Sequence, residues 1–346
     1  MTRLTTVLAA LAAFALTAAT ADAAPAKIRV LYLDQSVGFR HKPVTRPANS
    51  NGPTPSEVAL AEIGAKSGFS VESTQDARII TLEKLKTIDV LVFYTTGELP
   101  ISAENWAAVQ TWVESGKGGF VGLHSATDTH WDYTGPGQTY TAFIDGKFAG
   151  HPWTQGTPIT VQALGGASPV NDAWPARFAY AEEIYQYSDY DPAKVRALQA
   201  LDFTDMALKR PWFVPVTWTR EIGRGRLFQT NLGHTPSTWS DPRYRAQIVD
   251  AIRWAAHREP GSAKPNPDEQ ALWALRSLLA YDNRPKAEIE ARVAKLAKAD
   301  PAWLRDAAAR TAALRPLWPT KPEDDRTTFD AAYKAVLDEV VARSGG

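Results

Sequence analysis

The chain has 346 residues, no cysteine, and 38 basic against 38 acidic side chains, for a formal net charge of zero at neutral pH. That balance gives no electrostatic footprint for nucleic acid or an anionic membrane. The lack of cysteine excludes disulfides, thiolate metal sites, iron–sulfur clusters and a cysteine nucleophile.

The first segment reads as an address label. Met1 to Arg3 form a short positive start, Val7 to Ala19 are almost wholly small or apolar, and Ala21-Asp22-Ala23 offers a cleavage site. This pattern predicts a secretory signal peptide over 1–23, with an apolar run too short to span a membrane comfortably. Its removal would leave an exported chain, periplasmic or secreted, with no membrane insertion. Arg3 and Asp22 leave together, so the charge balance stays neutral.

Ile28 to Leu33 is a short apolar run of the kind found in buried parallel strands. Thr54-Pro55-Ser56-Glu57 spells a capping box with proline at the first helical position. The helix it opens would place Val58, Ala61, Ile63 and Ala65 near one side and stop at Gly68. Phe69 to Ser73, Ile88 to Tyr94 and Gly119 to His124 are further strands, with a helix capped by Ser102 before the last. Strands alternating with helices at this spacing predict an open parallel α/β sheet with helices on both faces.

From Pro158 the pattern turns β-rich. Strands are predicted at Ile159–Leu164, Arg196–Asp202, Phe213–Thr219 and Arg226–Thr230, the last pair joined by a hairpin-type loop. Ser240-Asp-Pro-Arg243 starts a helix with Ile248, Ala251, Ile252 and Ala255 on one face. The α/β domain therefore runs over 24–258. Residues 259–266 read as a linker, and 267–346 as a small helical domain for packing or docking.

Six histidines occur, and four lie in glycine-containing loops. A single loop histidine reads first as a surface or capping residue, the reading given to His130 and His257. His41, His124 and His234 differ, because each follows a strand and can reach the carboxyl edge where open sheets bind ligands. Gly122-Leu-His124-Ser-Ala126 has the small flanking residues of a nucleophile elbow, with histidine at its tip and Ser125 as an alternative nucleophile. Asp34, Glu98 and Asp128 end nearby strands or turns, and Arg40 and Arg220 could orient hydroxyl or carboxylate groups. Trp131, Tyr133, Trp153, Trp218 and Trp239 surround these motifs, and aromatic faces suit the apolar C–H faces of sugars.

At Gly38-Phe-Arg-His41, Gly119 to Asp128, Phe148 to Pro152, Pro215 to Arg220 and Gly223 to His234 the sequence resembles the ThuA-like (trehalose utilisation) family, over about 28–258. The resemblance implies a flavodoxin-like α/β fold related to class I glutamine amidotransferases. His124 stands where those enzymes carry cysteine, and Pro236 where they carry the triad acid, so glutaminase chemistry is excluded. It further implies a small carbohydrate substrate, 3-keto glycosides supplied by a partner sugar dehydrogenase and isomerised, cleaved by elimination or hydrolysed with acid–base or metal assistance, and no nucleotide cofactor. On this reading His124 and His234 line the site as metal ligands or as an acid–base pair. His41 would be a further metal ligand, Asp128 a catalytic group, and Arg40, Trp131 and Arg220 substrate contacts. Zinc, manganese or iron would suit such ligands. The competing expectation is a non-catalytic carbohydrate-binding module on a degenerate amidotransferase-like fold.

Overall fold

The computed structural model of the protein describes residues 27–321 and 323–345, so the signal segment expected over 1–23 lies outside the described residues. The strands are β1 (Ile28–Leu33), β2 (Phe69–Thr74), β3 (Val90–Phe93), β4 (Gly119–Leu123), β5 (Lys147–Phe148), β6 (Pro158–Ala163), β7 (Arg177–Ala181), β8 (Tyr187–Ser188), β9 (Arg196–Leu201), β10 (Pro215–Ile222) and β11 (Gly225–Thr230). The α-helices are α1 (Pro55–Ser67), α2 (Leu82–Leu85), α3 (Ala103–Glu114), α4 (Tyr140–Ile144), α5 (Pro242–Ala255), α6 (Pro267–Tyr281), α7 (Lys286–Leu296), α8 (Pro301–Ala312) and α9 (Thr327–Arg343).

Among the described residues, nine strands form one sheet in the order β2-β1-β3-β4-β11-β10-β9-β6-β7. The first five run parallel, and the remaining four continue antiparallel. Parallel strands covered on both faces must be apolar where they are buried, which explains the apolar runs of β3, β4 and Val30 to Leu33 of β1. Leu60 and Ile63 of α1 and Ile248 and Ile252 of α5 pack on one face. Leu85 of α2, Trp106 and Val109 of α3 and Phe143 of α4 fill the other. The result is the flavodoxin-like α/β sheet expected, and it brings the carboxyl ends of β1, β3, β4 and β11 to a single edge.

Local signals were realised with some differences. Thr54 and Glu57 close the capping box reciprocally, and Gly68 ends α1 at φ +84°. The buried stripe of α1 is Ala59, Leu60, Ile63 and Gly64, whereas Val58, Ala61 and Ala65 are exposed. Leu60 and Ile63 carry more apolar area than the alanines, and Gly64 lets Phe69 press against the helix, so burial follows them. The elbow after β4 opens a single 3-10 turn over His124–Thr127. Strand β7 was not anticipated. Asn266 occupies the N-cap position of α6 without a side-chain capping bond; its side chain pairs with the backbone of Ala197, accepting at 2.8 Å and donating at 3.0 Å. Leu275, Leu278, Ile289, Leu304 and Val340 of the C-terminal helices extend the same apolar cluster as α1 and α5.

Asp34 lies directly after β1 and is wholly buried. It accepts from Thr54 Oγ1 at 2.9 Å and Gln75 Nε2 at 3.3 Å, while its second oxygen has no partner. Burial, with the nearby Glu57 charge, raises this carboxyl to about 7. The folded protein therefore keeps a proton that the unfolded chain loses near pH 4. This group's stabilising contribution is complete below that pH and is lost as pH rises through 7. Thermal melts should show a decline in Tm from pH 5 to 8 that Asp34→Asn reduces; an equal decline in the variant would assign it to other groups.

Candidate metal centre

The site begins where β4 turns sharply. His124 takes φ +44°, a conformation unusual for a side chain with a Cβ and one that concentrates at functional positions. Glycine at 122 leaves room for Gln229: a Cβ there would meet Gln229 Oε1 at 2.0 Å and displace that side chain. Gln229 Nε2 donates to the His124 carbonyl at 3.2 Å and braces the elbow from β11.

Hydrogen bonds fix which way each ring faces. His124 Nδ1 lies 2.8 Å from the Asn231 carbonyl. A carbonyl only accepts, so Nδ1 carries the proton and the Nε2 lone pair faces inward, the arrangement that prepares an imidazole for a metal. Asn231 is itself locked by reciprocal bonds to the Tyr185 backbone at 3.0 and 2.9 Å. His234 follows Gly233, which adopts φ +121° and passes so near Tyr244 that a Cβ would lie 2.4 Å from its hydroxyl. Buried Glu182 secures this turn, accepting from Gly233 N at 3.3 Å and Thr238 Oγ1 at 2.5 Å.

His234 Nδ1 stands 3.1 Å from His124 Nε2 and 3.1 Å from Glu183 Oε1. Glu183 Oε1 is 3.6 Å from His124 Nε2, and its other oxygen is 3.5 Å from His151 Nδ1. His41 reaches in from the loop after β1, with Nε2 3.2 Å from Tyr185 Oη and a buried Nδ1 that has no partner. The rings of His41, His124 and His234 meet edge to face, with centroids 4.7 to 5.0 Å apart. One donor atom from each of His41, His124, Glu183 and His234 lies within 4.8 Å of all the others.

The electrostatics suit a cation. Burial, helped by the neighbouring histidines, pulls His41 down to about 2, so its imidazole is neutral. Burial alone would raise Glu183, but the His124 and His234 rings that face it hold its carboxyl well below the usual range. Three imidazoles and one carboxylate converge, and one buried ring nitrogen of His41 has no partner among the described residues. That donor set fits a divalent ion such as zinc, manganese or iron. The residues present could therefore hold a metal.

An aromatic wall leads outward from this cluster. Tyr185 lies 4.8 Å from the His124 ring and Phe148 4.4 Å from Tyr185, while Trp131 stacks on Phe148 at 6.1 Å. His151, exposed, lies over Phe148 at 5.7 Å. Asp128 is half-buried beside this wall. Burial raises its carboxyl to about 6, opposed by His151.

The structure brings together His41, His124 and His234, places Asp128 and Trp131 along the approach, and leaves Arg40 exposed next to His41. Arg220 requires a correction. Its guanidinium is buried and donates to the carbonyls of Ala142 and Phe143 at the end of α4. It lies three residues down β10 from Thr217, which is level with the end of β4, roughly 10 Å from the carboxyl edge at strand spacing. Arg220 thus holds α4 to the sheet. Ser125 is wholly buried, its hydroxyl without a partner, so no base activates it. Trp153, Trp218 and Trp239 are core residues whose indole N–H groups donate to backbone carbonyls. His130 pairs with Glu98 at 3.4 Å, away from the cluster.

Sequence reasoning missed Glu183, Tyr185 and Asn231. Asn231 directly follows β11, a position the strand-end argument could have included. Glu182-Glu183-Ile184-Tyr185 lies in irregular chain after β7, where the bridge between Trp153 and Ile184 fixes the backbone. Two adjacent carboxylates before an aromatic residue were the available signal.

Residues 29–255 match the family described as ThuA, trehalose utilisation. Among solved structures, the chain is similar to a ThuA-like protein from Bacteroides uniformis, with 22% identity and a TM-score of 0.54 over 68% of this chain and 94% of that one. A ThuA-like protein from Parabacteroides merdae is similar at 15% identity and a TM-score of 0.52, over 70% of this chain and 94% of that one. These identities establish a shared fold. No curated protein matches the sequence. The family match runs from β1 to the end of α5 and contains all four residues of the cluster, and the chain belongs to the ThuA, or trehalose utilisation, family.

Proposed function

We propose that the protein is an exported, metal-dependent enzyme that acts on 3-keto glycosides by removing the C2 proton and then isomerising the sugar or expelling its C1 substituent. The observation that carries this reading is the convergence of His41, His124, Glu183 and His234 at the carboxyl edge of the sheet. The aromatic wall beside it suits a sugar ring, and the family name points to carbohydrate. The 1–23 segment supports export, and a 3-ketone must come from oxidation of a sugar C3 hydroxyl, the work of a partner dehydrogenase.

A 3-ketone acidifies the hydrogen on C2. Asp128, the carboxylate on the approach, takes that proton, and the electron pair moves into the carbonyl to leave negative charge on the C3 oxygen. A divalent ion bound by the three histidines and Glu183 would supply the positive charge that such an oxyanion needs. Collapse of the enolate can break the C1–O bond, giving a C1=C2 double bond conjugated to the ketone. The proton held by Asp128 then accompanies the departing alcohol. No other reactant is required. Alternatively, the proton returns to carbon and the sugar is isomerised. Tyr185, Phe148 and Trp131 orient the ring and exclude water from one face.

The test is incubation of the metal-loaded protein with a 3-keto glucoside, following products by mass spectrometry. The account expects turnover that stops on chelation and returns with the ion. Saturable sugar binding that chelators leave unchanged, with no product, would support the carbohydrate-binding module instead. Trp131→Ala should raise KM about five- to tenfold with kcat nearly unchanged, since it removes ring contact remote from the reacting carbons. A fall in kcat at constant KM would assign Trp131 a different role.

A further inference from the structure

Away from the histidines, α6 and α8 and the 190–193 loop enclose a cavity of about 330 Å³, within the size range of small-ligand sites. Its walls include Phe213, Ala271, Ala274 and Ala308, small or apolar residues that leave the space open. Most polar groups at its boundary are already engaged. Tyr190 donates to Gln270 at 2.8 Å, Gln270 donates to the Val195 carbonyl at 3.0 Å, and Arg305 pairs with Asp268.

Arg315 is the exception. Its side chain lines the cavity, and its Nε is sealed from solvent without a hydrogen-bond partner. Trp212 offers only a ring face at 6.0 Å. Burial pulls the guanidinium down to about 10 against the distant attraction of Asp189, so it stays charged at neutral pH. Among the described residues its Nε has no acceptor, an uncompensated site on a partly buried cation that arginine cannot relieve by losing its proton.

We propose that this cavity binds a small amphipathic carboxylate, its head paired with Arg315 and its apolar body against Phe213, Ala271, Ala274 and Ala308. One guanidinium fork matches one carboxylate. A phosphate would bring more charge and more acceptors than the apolar walls can satisfy. The site is independent of the histidine cluster and gives the C-terminal helices a ligand-binding role.

The experiment is calorimetric titration of the full chain with octanoate, hexanoate and octanol. Octanoate should bind once per chain, with octanol weaker by about tenfold or more for want of the charge. Hexanoate should be weaker by about fifteenfold, at roughly fourfold per lost methylene. Arg315→Gln should erase the preference for octanoate over octanol without lowering Tm, and Ala309→Trp, which fills the cavity while keeping Arg315, should abolish binding of both. Failure of the wild-type chain to bind octanoate, or octanoate binding unchanged in either variant, would overturn the proposal.

Discussion

Glu183→Gln is expected to leave the fold intact while lowering divalent-ion affinity by about 100-fold or more, and turnover with it. The substitution preserves shape and removes the negative charge beside three imidazoles. Glu183 Oε1 faces His124 and His234, and Oε2 faces His151, so these side-chain contacts all belong to the site. The backbone is held separately, by the bridge between Trp153 and Ile184. Equilibrium dialysis with zinc, manganese and iron, alongside thermal melts, would separate the two effects. Unchanged ion binding in a folded variant would remove Glu183 from the centre.

Asp128→Asn should have the opposite profile: the ion retained and turnover lower by about 10²- to 10⁴-fold, the usual contribution of a positioned base. Only ionised Asp128 can accept the C2 proton. With its carboxyl raised to about 6, wild-type turnover should climb with pH through that value and level off above it. The residual activity of Asp128→Asn should lack this rise. A pH profile of kcat in both proteins measures it, and the same rise in the variant would place the base elsewhere.

The parallel half of the fold was legible because buried parallel strands are written as apolar runs and helix starts carry chemical caps; Thr54 to Glu57 was readable to the hydrogen bond. Strand β7 was not, since Arg177 to Ala181 is short and buries only Phe178, so it carries little apolar signal. The three histidines were found through a topological argument, that strand ends meet at one edge. Glu183 arrives from irregular chain in the antiparallel half, and periodicity says nothing about where such a segment folds back. Arg220 misled for a related reason: sequence shows a charge beside a strand, but only packing shows its guanidinium spent on the carbonyls of α4.

The central claim is that His41, His124, Glu183 and His234 hold a metal, and elemental analysis of the full chain purified without a histidine tag tests it most directly. The account predicts about one divalent ion per chain in the wild-type protein and its loss in His124→Ala. Absence of any ion from the wild-type protein, even after incubation with zinc, manganese and iron, would contradict it.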